Sequence, residues 1–282
     1  MKKCLLLIST IALFFATGCN DEFPAISTPA SGNYNYGTIV WRDLATPDPD
    51  KAAAFYNTVF GWTAEETNDG TYWIFKHQGK AIGGMLSIKQ SDANDVSGEW
   101  ICSISVPDVD EAVAAAVSNS AVTLMKAKDF TGRGRCAVIR DPQGAVISFL
   151  KSSSGDPAAT DATEYGWLWT ELWSNDLNAS NAFYTKAIKT EMSNEVVNDI
   201  TYTVLKSGGK PAAGIIRNPV EGVRSHWVPY VLVSDPMAVA KKAEAAGAKI
   251  IQAPSPMFRN STVALLLDPT GAPLLIQKYS PN

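Results

Sequence analysis

Two short segments carry the residue types that could do chemistry, and they are one segment used twice. Trp41-Arg42-Asp43-Leu44 returns 128 positions later as Trp169-Thr170-Glu171-Leu172. Residues two apart on a β-strand face the same way, so Trp41 shares a face with Asp43, and Trp169 with Glu171. An aromatic wall beside a carboxylate suits a small-molecule site. The ring gives stacking area, and the acid pairs with an amine or accepts a hydrogen bond. Asp43 and Glu171 are also the candidate catalytic residues, as general bases whose pKa an apolar wall raises, although a lone carboxylate is a weak catalytic signal. The alternative is structural: the tryptophans fill the space they face, and the acids make strand-end or interdomain hydrogen bonds.

Other chemistry-bearing residues are few. His77, beside Lys76 and Lys80, reads as a hairpin residue in solvent. His226 reads as an exposed strand start, with a proton shuttle beside Trp227 as its other reading. Thr131-Gly132-Arg133-Gly134-Arg135 lacks the following helix an anion-binding loop needs and is expected to be a mobile loop. Gly79-Lys80 with Gly83-Gly84, echoed by Gly209-Lys210 with Gly214, has no P-loop spacing and reads as turn chemistry. Cys102 and Cys136 either pair or stay as free thiols; spacing leaves both open.

These residues must be positioned by a chain of 282 residues, 46% apolar and 18% charged, which is long enough for two globular domains. A net charge of −4 without a basic cluster excludes a nucleic-acid partner, which needs a concentrated phosphate-facing patch. Residues 1–18 are a processing segment: basic Met1-Lys2-Lys3, an apolar run from Cys4 to Phe15, then Ala16-Thr17-Gly18 before Cys19. That pattern resembles a bacterial lipoprotein signal, which implies a lipid on Cys19. Residues 19–36, rich in Ser, Pro, Asn and acids, read as a flexible tether, and residues 153–164 as a linker.

Between them, residues 37–152 and 165–282 repeat one another. Ala54-Phe55-Tyr56 returns as Ala182-Phe183-Tyr184, Trp100 as Trp227, and Asp141-Pro142-Gln143-Gly144 as Asp268-Pro269-Thr270-Gly271. Each copy also halves. Strand-like alternation ends at a helix-capping aspartate (Asp48, Asp108, Asp176, Asp235), and helices are expected over Lys51–Phe60, Glu111–Ser118, Ala179–Ile188 and Ala238–Ala246. Three short strands follow each helix. The fold class is α+β: two tandem domains, each of two βαβββ modules.

Paired βαβββ modules with Phe-Tyr in the first helix and an Asp-Pro-x-Gly turn before the last strand resemble the vicinal oxygen chelate superfamily. Glyoxalase I, extradiol dioxygenases and bleomycin-resistance proteins belong to it. The resemblance implies mixed sheets that curl into cups, each holding a divalent metal that binds vicinal substrate oxygens. Its ligand positions fall here on Trp41, Ile101 and Ser148 in the first domain, and on Trp169, Val228 and Leu275 in the second. Only the Ser148 hydroxyl is a donor, and a weak one. The expectation is therefore no metal and no other cofactor. Trp41, Asp43, Ser148, Trp169 and Glu171 are the candidate ligand-binding residues, and a small molecule is the partner. The other reading is a metal-dependent lyase or oxidoreductase of the glyoxalase or dioxygenase type with atypical ligands. A lipid on Cys19 implies attachment to the cell envelope, with the outer membrane favoured because Asn20 follows the cysteine. Four modules in one chain imply a monomer.

Overall fold

Each helix begins where an aspartate caps it. In the computed structural model, Asp48, Asp108, Asp176 and Asp235 accept from the backbone N–H three residues on, at 2.9–3.0 Å. The helices start two residues before the expected positions, and two open on a proline whose fixed φ suits a first turn: α1 Pro49–Phe60, α2 Val109–Ser118, α3 Leu177–Ile188 and α4 Pro236–Ala245. The structure describes residues 22–67, 70–88, 97–158, 161–197 and 200–279. Cys19 and the processing segment lie outside them. Among the described residues no helix is long and apolar enough to cross a membrane.

The strands follow the expected module order. After β1 (Glu22–Phe23) the first domain comprises β2 (Ile39–Thr46), β3 (Thr63–Thr67), β4 (Tyr72–His77), β5 (Lys80–Ser87), β6 (Glu99–Ser105), β7 (Val122–Gly132), β8 (Gly134–Arg140) and β9 (Val146–Ser152). The second comprises β10 (Trp167–Ser174), β11 (Glu191–Val197), β12 (Ile200–Ser207), β13 (Lys210–Arg217), β14 (His226–Leu232), β15 (Lys249–Gln252), β16 (Val263–Leu267) and β17 (Pro273–Gln277). Each domain forms one curled sheet, ordered β1-β7-β8-β9-β6-β2-β5-β4-β3 and β11-β12-β13-β10-β14-β17-β16-β15. The first strands of the two modules pair antiparallel at the centre, β2 with β6 and β10 with β14.

Alternation along the central strands decides what meets what. Arg42, between Trp41 and Asp43, points away from the cup and donates to the Thr170 hydroxyl of the other domain at 2.7 and 3.1 Å. Cys102 also faces this interdomain core, while Cys136 lines the first cup; both are free thiols, and burial pushes each up to about 12. Two apolar clusters join the domains crosswise. The first module packs against the fourth, including Phe55, Phe60 and Trp62 against Val239 and Leu274. The second packs against the third, including Ile104 and Phe149 against Phe183 and Leu205.

The repeated Phe-Tyr and Asp-Pro-x-Gly landmarks meet across this interface. Tyr56 Oη donates to Asp268 at 2.9 Å and accepts from Trp100 Nε1 at 3.1 Å. Reciprocally, Tyr184 donates to Asp141 at 3.0 Å and accepts from Trp227 at 3.0 Å. Burial raises both aspartates above the ordinary 3.8, against backbone N–H donors that lower them. A raised folded-state pKa means that the native protein holds its proton longer than the unfolded chain. Stability from these groups therefore falls as pH rises from 3.8 through the raised values. In the Asp141→Asn, Asp268→Asn double variant that part of the melting-temperature slope against pH should vanish.

The expected flexible tether is not one over its described length. Phe23 packs edge-on against Tyr72 and Phe130, each at 5.0 Å, and Ile26 is buried beside Trp41 and Leu150. Further on, the Ser31 and Asp156 N–H groups donate to Ser154 and Asn33 carbonyls at 2.8 and 2.7 Å, knitting this segment to the start of the linker. The reason is apolar content: Phe23 and Ile26 have a surface to cover.

Candidate functional site

The slot positions do look into the cups. Asp43 lies across from Ile101, and Trp41 across from Ser103, which pairs with Ser148. In the second domain Glu171 lies across from Val228, and Trp169 from Tyr230, which pairs with Leu275. Ile101 and Ser148 line what remains of the first cup, a cavity of about 30 Å³, room for a water molecule.

Each carboxylate is the centre of one repeated constellation. Asp43 Oδ1 accepts from Tyr72 Oη at 2.6 Å and Trp41 Nε1 at 2.9 Å, and Oδ2 from Arg133 Nη1 at 3.3 Å. Arg133 Nη2 also reaches Tyr72 Oη at 2.6 Å. In the second cup Glu171 Oε1 accepts from Tyr202 Oη at 3.0 Å, and Trp169 Nε1 donates to that tyrosine at 2.6 Å. Arg259 Nη2 lies 3.2 Å from both Glu171 oxygens, and Oε2 also accepts from Tyr230 and Trp173. Burial pushes the Tyr72, Tyr202 and Tyr230 phenols up, and their carboxylate neighbours add to it, so all three stay protonated donors. Every oxygen of Asp43 and Glu171 thus accepts from fixed donors. A general base needs a lone pair aimed at its substrate, and of the four oxygens only Asp43 Oδ2, which accepts from Arg133 alone, keeps one to spare among the described residues.

Arg133 and Arg259 were not among the residues that sequence reasoning selected. The expected mobile loop at 131–135 is a tight hairpin instead. Gly132 and Gly134 take left-handed φ of +83° and +101°, and a Cβ on Gly134 would stand 2.3 Å from the Lys151 carbonyl. Those glycines let Arg133 turn inward, where its side chain is 6% exposed. Arg259 sits in a three-residue turn, Arg259–Ser261, whose residues all have φ between 46° and 61°. Left-handed backbone costs about 1–2 kcal/mol for each non-glycine residue. Hydrogen bonds within the loop hold it, Thr262 Oγ1 to the Arg259 carbonyl at 2.6 Å and Ser261 N–H to Ser255 at 2.8 Å. The overlooked signal was the repeat itself. Tyr72 and Tyr202, Phe130 and Phe258, and the two arginines recur at offsets of 130, 128 and 126.

The glycine echo also has a site role that turn chemistry does not cover. Gly79 and Gly209 do turn hairpins, at φ +75° and +77°. Gly84 and Gly214 instead lie within β5 and β13, under the tyrosines. A Cβ there would stand 1.8 Å from Tyr72 Oη and 2.0 Å from Tyr202 Oη. Gly214→Ala should displace Tyr202 from Glu171 and cost about 1–3 kcal/mol by urea denaturation.

Both histidines are more buried than expected. His77 Nε2 lies 2.9 Å from the Glu164 carbonyl. His226 packs on Trp173 with ring centroids 5.5 Å apart, and Nδ1 lies 2.9 Å from the Arg224 carbonyl; burial lowers its pKa. His226 stands two residues from the slot residue Val228 on β14, on the same side of the strand. Among the described residues no group of three His, Cys, Asp or Glu side chains converges. The slot side chains (Trp, Ile and Ser, then Trp, Val and Leu) do not fit a divalent cation.

Residues 40–150 match the glyoxalase-like domain family, and residues 166–276 match the glyoxalase/bleomycin resistance protein/dioxygenase superfamily. The chain belongs to that superfamily. As a tandem glyoxalase-like protein it is 32% identical over 260 residues to a putative glyoxylase of Mycobacterium tuberculosis, covering 90% of this chain and 99% of that one. The anthracycline biosynthesis protein DnrV of Streptomyces peucetius is 27% identical over 251 residues, covering 84% and 91%. The Mn(II)-bound glyoxalase from Novosphingobium aromaticivorans superposes with a TM-score of 0.60 at 15% identity, over 86% of this chain and 82% of that one. The 2,3-dioxygenase LapB from a Pseudomonas superposes at 0.56 with 12% identity, over 88% and 95%. These two likenesses concern the fold of the glyoxalase-like protein, not its chemistry.

Proposed function

We propose that this glyoxalase-like protein binds a small molecule in its second cup and does so without a metal. The observation that carries the reading is the donor set: six slot positions supply one weak oxygen, and each nearby carboxylate is neutralised by an arginine. The choice of the second cup follows from exposure. The first constellation is covered by residues 22–26, whereas Arg259 is 33% exposed and Trp169, Tyr202 and Phe258 are partly open. Of the candidate ligand-binding residues, Trp169 and Glu171 then form the working site, while Trp41, Asp43 and Ser148 belong to a closed copy.

We further propose a lipid on Cys19 that holds the protein at the bacterial envelope, the outer membrane being favoured, and a monomeric state. The export pattern before Cys19 supports the first. The second draws on the two large apolar clusters, which are used up between the domains of one chain. The test of function is a screen of purified protein for ligand binding, lactoylglutathione formation and catechol cleavage, each with and without added Mn²⁺, Fe²⁺ or Zn²⁺. Saturable binding indifferent to metal supports the proposal. Turnover that requires metal supports the lyase or oxidoreductase reading instead.

A further inference from the structure

The first cup already holds a ligand of sorts, supplied by the chain. The Phe23 ring stands between Tyr72 and Phe130, with centroids 5.0 Å from each. The Arg133 guanidinium lies 5.7 Å from the same ring, and its Nε donates to the carbonyl of the next residue, Pro24, at 3.0 Å. The occupant is thus an aromatic ring with an oxygen acceptor a few bonds away.

Among the described residues the second cup keeps the receiving groups and lacks the occupant. Tyr202 and Phe258 stand at the repeat positions of Tyr72 and Phe130, and both are partly exposed. Among the described residues neither ring makes a ring–ring contact. Arg259 occupies the place of Arg133. Its Nη2 holds Glu171, but its Nε–H has no acceptor among the described residues, where Arg133 has Pro24. Tyr230 replaces Ser103 on the cup floor and is fully buried, so it fills the depth of the cup, while Tyr202 and Phe258 stay partly exposed.

Building on the second cup as the binding site, we infer that its ligand is an aromatic compound bearing a carbonyl or carboxylate oxygen. The ring enters between Tyr202 and Phe258 as Phe23 enters between Tyr72 and Phe130. The oxygen accepts from Arg259 Nε–H as Pro24 does from Arg133. Edge-on aromatic contacts favour a ring over a saturated group of the same size, and a guanidinium offers a planar fork to an oxygen acceptor.

The test is calorimetric titration of the full mature chain with 3-phenylpropanoate, 3-cyclohexylpropanoate and propanoate. One equivalent of 3-phenylpropanoate should bind, with the cyclohexyl analogue about tenfold weaker and propanoate weaker still. Phe258→Ala should weaken 3-phenylpropanoate about tenfold, with the circular dichroism spectrum unchanged at the titration temperature. Phe23→Ala empties only the ring position of the first cup, since the Pro24 carbonyl keeps Arg133 Nε–H, so the stoichiometry should stay at one. Equal binding of the phenyl and cyclohexyl acids, or binding indifferent to Phe258→Ala, overturns the inference while leaving a small-molecule site in place. Failure of every compound in a chemically mixed set to bind overturns the site itself. If Phe23→Ala does not fold, the Phe258→Ala and analogue comparisons decide alone.

Discussion

Arg133→Met should lower the unfolding free energy by about 3–5 kcal/mol, the usual cost of leaving one member of a buried ion pair alone. Asp43 would keep Tyr72 and Trp41 as donors but lose its counter-charge at a site where its own side chain is 13% exposed. Tyr72 would lose a 2.6 Å hydrogen bond, and Pro24 its donor. The guanidinium also lies 5.3–5.7 Å from the Trp41, Tyr72 and Phe23 rings, contacts that methionine replaces only by packing. Arg259→Met makes the control. Its partner Glu171 is 1% exposed, yet Arg259 itself is 33% exposed, so water can reach the vacated place. About 1–3 kcal/mol is expected there. Urea denaturation of both variants measures the difference, and equal losses would remove the distinction between a closed and an open cup.

The second large effect belongs to the interface. Tyr56→Phe and Tyr184→Phe each delete a hydroxyl that both donates to a buried aspartate and accepts from a buried tryptophan. Each should cost about 1–3 kcal/mol, because the partners stay behind without a hydrogen bond. The two tyrosines sit in separate apolar clusters, one from modules one and four and one from modules two and three, so their losses should add. The double variant should show the sum in chemical denaturation. A loss near that of one single variant would mean that the two locks are coupled.

Much of this fold is legible in the residues because the repeat supplies its own check. The four capping aspartates, the helices after them and the βαβββ order all follow from local chemistry that is present four times. Ile101 and Ser148 line the first cup, and Val228 and Leu275 lie in register beside Glu171 and Tyr230, because side-chain alternation along a strand is strict. What the sequence hides is long-range. Nothing near Asp43 announces that its charge is met by Arg133, 90 residues on. Gly84 resembles a turn glycine until Tyr72 is seen lying over it. Residues 22–26 look like a tether by composition, since the two apolar side chains that anchor them are diluted among Ser, Pro and Asn.

The repeat also makes the differences between the copies readable. Ser103 and Ser148 of the first cup become Tyr230 and Leu275 in the second, and among the described residues the covering segment has no counterpart over Arg259. One copy is closed by the chain itself, and the other keeps its arginine partly in solvent.

Of the proposed function, metal independence is the part on which most else depends. Equilibrium dialysis of purified protein against Mn²⁺, Fe²⁺ and Zn²⁺, with bound metal counted by mass spectrometry, tests this most directly. The expected result is no saturable site of sub-micromolar affinity for any of the three. One equivalent per domain bound at that affinity would contradict it.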